Sequence, residues 1–425
     1  MRLQSFKVIA SLLVAAAITV GCGGGSPAPA PANLKAVATE STVTLTWDAT
    51  PGVEYWVFYA PTTYAPADNS NMSRWFNLPG GSVLLNVTQP YSVAGLANGV
   101  GYSFTVNGRT GGGPGGPAAT TVTASPRMAG AIWTPAAAAS TQDLRAATFG
   151  STYVAVGNGG TIVSSTNATA WTAVTSPTTQ RLNGVSYFPV AATVNGIATT
   201  VPNYLAVGDA GTALFSADAV TWTAKTSNTT KNLYAVAGNG GALNVAVGAG
   251  GTIMTTVDGT TWTAATSSGT TSDLYAVNYL NGAWFAAGSA GTLVKSTDGL
   301  TWTAVATGST ADFRGITYGT TAVTTAGTTT AGVSYVLVGS GGTVLASTDA
   351  VTWTAQTLPG ASALNAVIYG SQFVIVGDGG QIYTSVDAIT WASVSSGTTN
   401  NLLALARGVY MYATVGVAGT NLTSK

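Results

Sequence analysis

The sequence predicts an all-β protein, a small β-sandwich followed by a seven-bladed β-propeller with a composite last blade. Three observations carry this expectation. A strand-rich unit recurs along residues 127–425, marked by Trp133, Trp171, Trp222, Trp262, Trp302, Trp353 and Trp391, which stand 38, 51, 40, 40, 51 and 38 residues apart. The first and last of these units lack pieces that complement each other. Before them, residues 32–126 alternate apolar and polar residues in short runs between Pro and Gly turns.

Composition narrows the function classes. Of 425 residues 46% are hydrophobic, enough for a buried core, yet only 7% are charged where about 25% is usual. Solubility therefore rests on Thr, Ser, Asn and exposed backbone. Basic and acidic residues number 14 each, and no long basic run follows the first ten residues, so there is no footprint for a phosphate backbone and nucleic acid is not an expected partner. The chain has no His, which removes imidazole metal sites, His general bases and Ser-His-Asp or Cys-His hydrolysis. No cofactor motif is present: Gly111–Gly116 is glycine-rich but lacks the strand-to-helix setting of a phosphate-binding turn.

The first element is an export signal at residues 1–21. Arg2 and Lys7 precede the apolar run Val8 to Val20, which is shorter than the roughly 20 residues of a membrane-spanning helix. Cys22 is the one cysteine, so no internal disulfide is expected. The Val20-Gly21-Cys22 junction resembles a bacterial lipoprotein signal, which implies cleavage before Cys22, lipidation of its thiol and attachment to a membrane. Gly23 after the cysteine resembles lipoproteins sorted to the outer membrane, facing periplasm or cell surface. Residues 22–31, rich in Gly, Pro and Ala, read as a tether.

The sandwich occupies residues 32–126. Val43–Trp47, Tyr55–Tyr59, Tyr102–Val106 and Thr121–Ala124 read as strands, with Trp47 and Tyr102 as core aromatics. The pattern resembles a fibronectin type III domain: Trp47 matches its second-strand tryptophan, Tyr55 the third-strand aromatic, and Leu96 to Tyr102 the approach to its tyrosine corner. An insertion around Pro61 to Ser82 leaves the middle strands unassigned. Trp56, Trp75, Phe76 and Tyr91 are additional aromatics that could pack internally or form a carbohydrate or peptide platform.

Residues 127–425 form the propeller. Each full unit opens with a short strand such as Leu233–Val236, continues through an apolar strand into glycines, and then runs through a third strand to an acidic turn and the tryptophan that begins the fourth. Pairs such as Gly250-Gly251, Gly341-Gly342 and Gly379-Gly380 suit a tight turn with positive φ. The chain ends just before a tryptophan is due, while Ala131–Thr134 supplies a tryptophan strand without the rest of a unit. The N-terminal piece is expected to complete the last blade and close the ring.

The turns Ser165/Asn167/Trp171, Ser216/Asp218/Trp222, Thr256/Asp258/Trp262, Ser296/Asp298/Trp302, Ser347/Asp349/Trp353 and Ser385/Asp387/Trp391 resemble the Asp-box of sialidase-like propellers in a form one residue shorter. The whole unit is similar to photosystem II assembly factor and BNR-type repeat proteins. Asn167, Asp218, Asp258, Asp298, Asp349 and Asp387 recur once per blade, too far apart to share one metal ion, so each is expected to cap its own turn.

The candidate site is a ring at the residue after the leading Leu or Phe of each opening strand: Arg145, Asn183, Tyr234, Tyr275, Arg314, Asn365 and Leu403. These could line the channel or pack between blades. The resemblance to assembly factors implies recognition of another protein, here an envelope or extracellular one. Carbohydrate binding is the alternative. Glycoside hydrolysis fits less well, because it needs paired carboxyl groups and the chain's two Glu residues, Glu40 and Glu54, both lie in the sandwich. Asp209 and Asp378 are the conceivable acids that remain.

Overall fold

The computed structural model describes residues 25–194, 197–241, 243–325, 328–408 and 411–424. The predicted signal and Cys22 lie outside the described residues. No helix among the described residues is long and apolar enough to cross a membrane. The chain divides into two units on either side of Met128.

In the first unit two antiparallel sheets face each other. One contains Lys35–Thr39, Thr42–Thr46 and Tyr91–Ala94, and the other Ser82–Val87, Glu54–Pro61, Tyr102–Arg109 and Val122–Ala124. Alternation sends Val43, Leu45, Tyr55, Val57, Phe104 and Val106 into the shared core. Trp47 meets Tyr55 edge-on at 5.4 Å, and Tyr102 Oη accepts the Ala97 N–H at 3.2 Å, which makes the expected corner. Two segments differ from the sequence reading. The tether meets the sheet from Ser26 onward, where Ser26 and Thr110 exchange backbone hydrogen bonds at 3.1 and 2.9 Å. The insertion does not disrupt the strands, because it crosses over the outer face of the second sheet.

In the second unit seven four-stranded antiparallel sheets follow one another. Blade 1 runs Leu144–Phe149, Tyr153–Gly157, Ile162–Ser165 and Thr172–Val174, and the next five blades repeat this order. Blade 7 takes three strands from the C-terminal end, Leu402–Arg407, Tyr412–Gly416 and Asn421–Ser424, and its fourth, Thr134–Pro135, from the start of the unit. Thr423 pairs with Thr134 and Leu422 with Pro135. The strand thus begins one residue after Trp133 rather than at Ala131, since Trp133 turns inward and is only 6% exposed. The innermost strand of blade 7 lies against that of blade 1, so the ring closes.

Seven buried clusters hold the ring, one in each gap between blades. Each repeat tryptophan packs on the preceding blade: Trp171 with Ala413 and Val415 of blade 7, Trp302 with Val245 and Val247 of blade 3, Trp133 with Val374 and Val376 of blade 6. The two long units differ only in a longer first hairpin, Leu182–Val194 with Ile197–Gly208 and Phe313–Thr325 with Thr328–Gly339.

Candidate functional site

The seven ring positions meet around one open cavity of about 640 Å³, lined also by Arg181 and Asp312. A backbone irregularity puts them there. In every innermost strand the register with its neighbour skips one residue directly after the leading Leu or Phe, as where Leu144 pairs with Gly157 but Ala146 with Val156. The skipped residue is Arg145, Asn183, Tyr234, Tyr275, Arg314, Asn365 or Leu403 in turn. A bulge re-aims the side chain that it carries, and here it does so seven times toward the same axis.

Hydrogen bonds fix the polar members. Arg145 Nε donates to Asn158 Oδ1 at 2.6 Å, and Asn158 Nδ2 donates to Asp143 Oδ2 at 3.0 Å. Asn183 Nδ2 donates to Asp209 Oδ1 and to the Leu233 carbonyl at 2.9 and 3.0 Å. Asn365 Nδ2 donates to Asp378 Oδ1 at 2.8 Å and to the Leu402 carbonyl at 2.9 Å, while its Oδ1 accepts from Arg314 at 2.7 Å. Tyr234 and Tyr275 tilt together with centroids 5.4 Å apart.

The charges are unequal in their pairing. Arg181 forms an ion pair with Asp209 at 3.1 Å. Arg145 and Arg314 form none among the described residues, and each donates to a neutral carboxamide oxygen. Burial, then the nearby Arg181 charge, draws the Arg145 pKa below the ordinary guanidinium value, although it stays cationic at neutral pH. Burial, followed by the charges of Asp273 and Asp312, raises that of Tyr275. Asp209 and Asp378 are engaged in orienting ring residues, on different blades. No group of three or more His, Cys, Asp or Glu among the described residues could hold a metal ion.

The Asp-box turns stand at the far end of each sheet from this mouth, where Tyr153 pairs with both Phe149 and Ser165. Each acid or amide caps its own turn. Asp218 Oδ1 accepts the Val220 and Thr221 N–H groups at 2.8 and 2.7 Å, Asp349 does the same for Val351 and Thr352 at 2.8 Å each, and Asp387 for Ile389 and Thr390 at 2.8 and 2.7 Å. Asp258, Asp298 and Asn167 repeat the pattern.

Sequence reasoning missed a latch around the mouth. In five of the seven junctions the residue at the left-handed position of the glycine turn reaches the next blade, its N–H donating to an Asp or Asn just before that blade's leading residue. The pairs are Ala210 to Asn232, Gly250 to Asp273, Ala290 to Asp312, Gly379 to Asn401 and Ala418 to Asp143, at 2.7 to 3.0 Å. The recurrence of Asp or Asn before Leu or Phe was the readable signal.

Of the four additional sandwich aromatics, Phe76 and Tyr91 are half-buried, and Trp56 and Trp75 are not part of an exposed platform. Trp75 is fully buried and Trp56 is 5% exposed, because the insertion packs on them and the Arg109 guanidinium stacks on the Trp56 ring.

The architecture defines a two-domain all-β protein, a fibronectin type III domain ahead of a closed seven-bladed propeller that carries one polar, aromatic-lined mouth. Residues 29–124 match the fibronectin type III domain family. No curated protein matches the chain. Among solved structures the chain is similar to YCF48 bound to D1 peptide, with 16% identity, a TM-score of 0.53, and coverage of 69% of this chain and 96% of that one. It is likewise similar to YCF48 from Cyanidioschyzon merolae, at 16% identity and a TM-score of 0.51, covering 69% of this chain and 98% of that one. At this identity the likeness is one of fold.

Proposed function

We propose that the protein is a lipid-anchored binding or scaffolding protein outside the cytoplasm, whose propeller mouth recognises a segment of another envelope or extracellular protein. The carrying observation is the convergence of seven bulged side chains on one mouth where, among the described residues, Arg145 and Arg314 form no direct ion pair. Cations that form no direct ion pair among the described residues, beside a tyrosine pair, suit a peptide that brings a carboxylate and an apolar or aromatic side chain. A propeller of similar fold has been solved with a peptide bound, which supports the reading. The anchor is the lipidated Cys22, and the membrane is the outer one.

The test is capture of envelope proteins on the wild-type chain and on the Arg145→Ala/Arg314→Ala double variant. A specific protein retained by the first and lost by the second is expected; equal retention would contradict the mouth as the site. Fatty-acid labelling that survives Cys22→Ser would contradict the anchor.

A further inference from the structure

The residues that read as a tether are built into the sandwich. Besides the two backbone hydrogen bonds between Ser26 and Thr110, the hydroxyls of these residues lie 3.0 Å apart. Pro27 bridges antiparallel to Arg109, and the Ala28 N–H donates to the Gly108 carbonyl at 3.3 Å. From the other side the glycine-rich loop packs on the same segment. A Cβ on Gly113 would fall on the Gly25 carbonyl carbon, and one on Gly116 on the Ala28 carbonyl oxygen. Ala28 is 3% exposed as a result. From Gly25 onward the chain is thus part of the folded domain and cannot act as a spacer.

This sets the length of the anchor. Three residue steps separate Cys22 from Gly25, and fully extended they span at most about 10 Å. A free run as far as Pro31 would span about 30 Å. The polar layer on each side of a bilayer is about 5–8 Å thick. A lipid on Cys22 keeps its chains in the hydrocarbon, so Gly25 has to lie in the headgroup layer or just outside it.

The edge brought there suits such contact. Residues 25–34 and 110–126 contain no Asp, Glu, Lys or Arg, and Ser26, Pro27, Gly112, Pro114 and Gly115 are exposed. Uncharged backbone and small side chains approach headgroups without stripping water from ions. At the end of the adjoining strands Glu54 stands opposite Arg109, whose guanidinium stacks on the Trp56 ring and which is 8% exposed.

We infer that the sandwich rests directly on a lipid bilayer by the edge formed from residues 25–28 and 110–116. The inference depends on the reading that Cys22 carries the lipid. The strands orient the domain on that foot. The eight residues of Glu54–Pro61 run from this edge to the opposite end, about 24 Å away. There the Thr62 N–H donates to the Gly101 carbonyl at 2.8 Å and the Gly99 N–H to the Pro126 carbonyl at 2.7 Å, so the chain leaves the sandwich at the end farther from the membrane.

The experiment uses the full mature chain, purified from membranes and placed in vesicles of phosphatidylethanolamine and phosphatidylglycerol that include a lipid with a nitroxide on its headgroup. Because the lipid consumes the Cys22 thiol, one new cysteine takes a fluorophore, in Pro114→Cys on the proposed edge or in Thr63→Cys at the far end. The nitroxide should quench the first label and leave the second bright. Inserting about twelve Gly and Ser residues after Gly24, which adds roughly 20 Å of mean reach, should abolish the quenching at position 114. The mass of the N-terminal peptide reports the lipid independently. Lipid on Cys22 with equal quenching at the two positions, or with quenching at position 63 alone, would overturn this inference and leave the anchor standing. A Cys22 without lipid, in a chain absent from the vesicles, would overturn both.

Discussion

The Gly130 N–H donates to Ser424 Oγ at 2.8 Å across 294 positions of sequence. Within a continuous blade the same bond joins neighbours: Gly299 N–H donates to Ser296 Oγ at 2.8 Å, and Ala350 N–H to Ser347 Oγ at 2.9 Å. Trp133 Nε1 then donates to the Gly130 carbonyl at 2.9 Å, as Trp302 Nε1 does to Gly299 at 3.0 Å. The two ends of the propeller segment thus rebuild one turn of the repeat from halves that the chain never joins. Closure is a covalent gap bridged by the interactions found inside every blade.

Ser424→Ala should therefore lower stability by about 1 kcal/mol, the net worth of one such bond, and Ser296→Ala by a similar amount. Trp133→Ala should cost about 3–5 kcal/mol, as expected for an aromatic removed from a packed core. Urea unfolding monitored by tyrosine fluorescence and circular dichroism checks both. A Trp133 variant as stable as wild type would mean that the segment does not contribute to the ring.

Turn glycines divide by what surrounds them. Gly419 has φ of +69°, and a Cβ there would fall on the Ser140 carbonyl oxygen; Gly282 has φ of +83° with open space around it. Gly419→Ala should cost several kcal/mol through forced displacement of backbone, Gly282→Ala about 1 kcal/mol from conformation alone. The converse holds at Ala418, whose φ is +53°. Ala418→Gly should stabilise by about 0.5–1 kcal/mol in thermal unfolding.

The capped acids give the propeller an acid transition. Hydrogen bonds from Thr221 and Val220 hold the Asp218 pKa down at about 2, and those from Thr352 and Val351 do the same for Asp349. In Asp387 burial pushes the other way and is outweighed by the N–H groups of Thr390 and Ile389. A carboxyl depressed in the folded state contributes stability above its unfolded value of about 3.9, and that contribution disappears as pH falls through about 2. Urea midpoints should drop between pH 4 and pH 2. Asp218→Asn, which copies Asn167 of blade 1, should make that drop shallower.

Much of this was legible because the repeat sets every register. Tryptophan spacing located the blades, the truncated last unit announced the composite blade, and equivalence of position gathered Arg145, Tyr234 and Arg314. The bulge that aims them was not legible, since one skipped pairing leaves no mark on apolar alternation. The burial of Arg109 and Asn107 was hidden for a related reason. They alternate with Phe104 and Val106 of the core, and the insertion packs over the face they occupy. The glycine-rich stretch carries no strand signal, yet Gly116 N–H donates to the Gly108 carbonyl at 2.9 Å and holds the loop to the sheet.

The central claim is that the ring is closed by the pairing of Thr134 with Thr423, because closure brings the seven bulged residues round one mouth. Opposed residues on antiparallel strands have Cα atoms about 4.5–5.5 Å apart, within disulfide range, and Cys22 is the single native cysteine. In the Thr134→Cys/Thr423→Cys variant the account predicts quantitative disulfide formation in air, read by peptide mass mapping, with stability higher by about 3–5 kcal/mol than in the reduced form. Two thiols that stay reduced under oxidising conditions, in a chain that is otherwise folded, would contradict it.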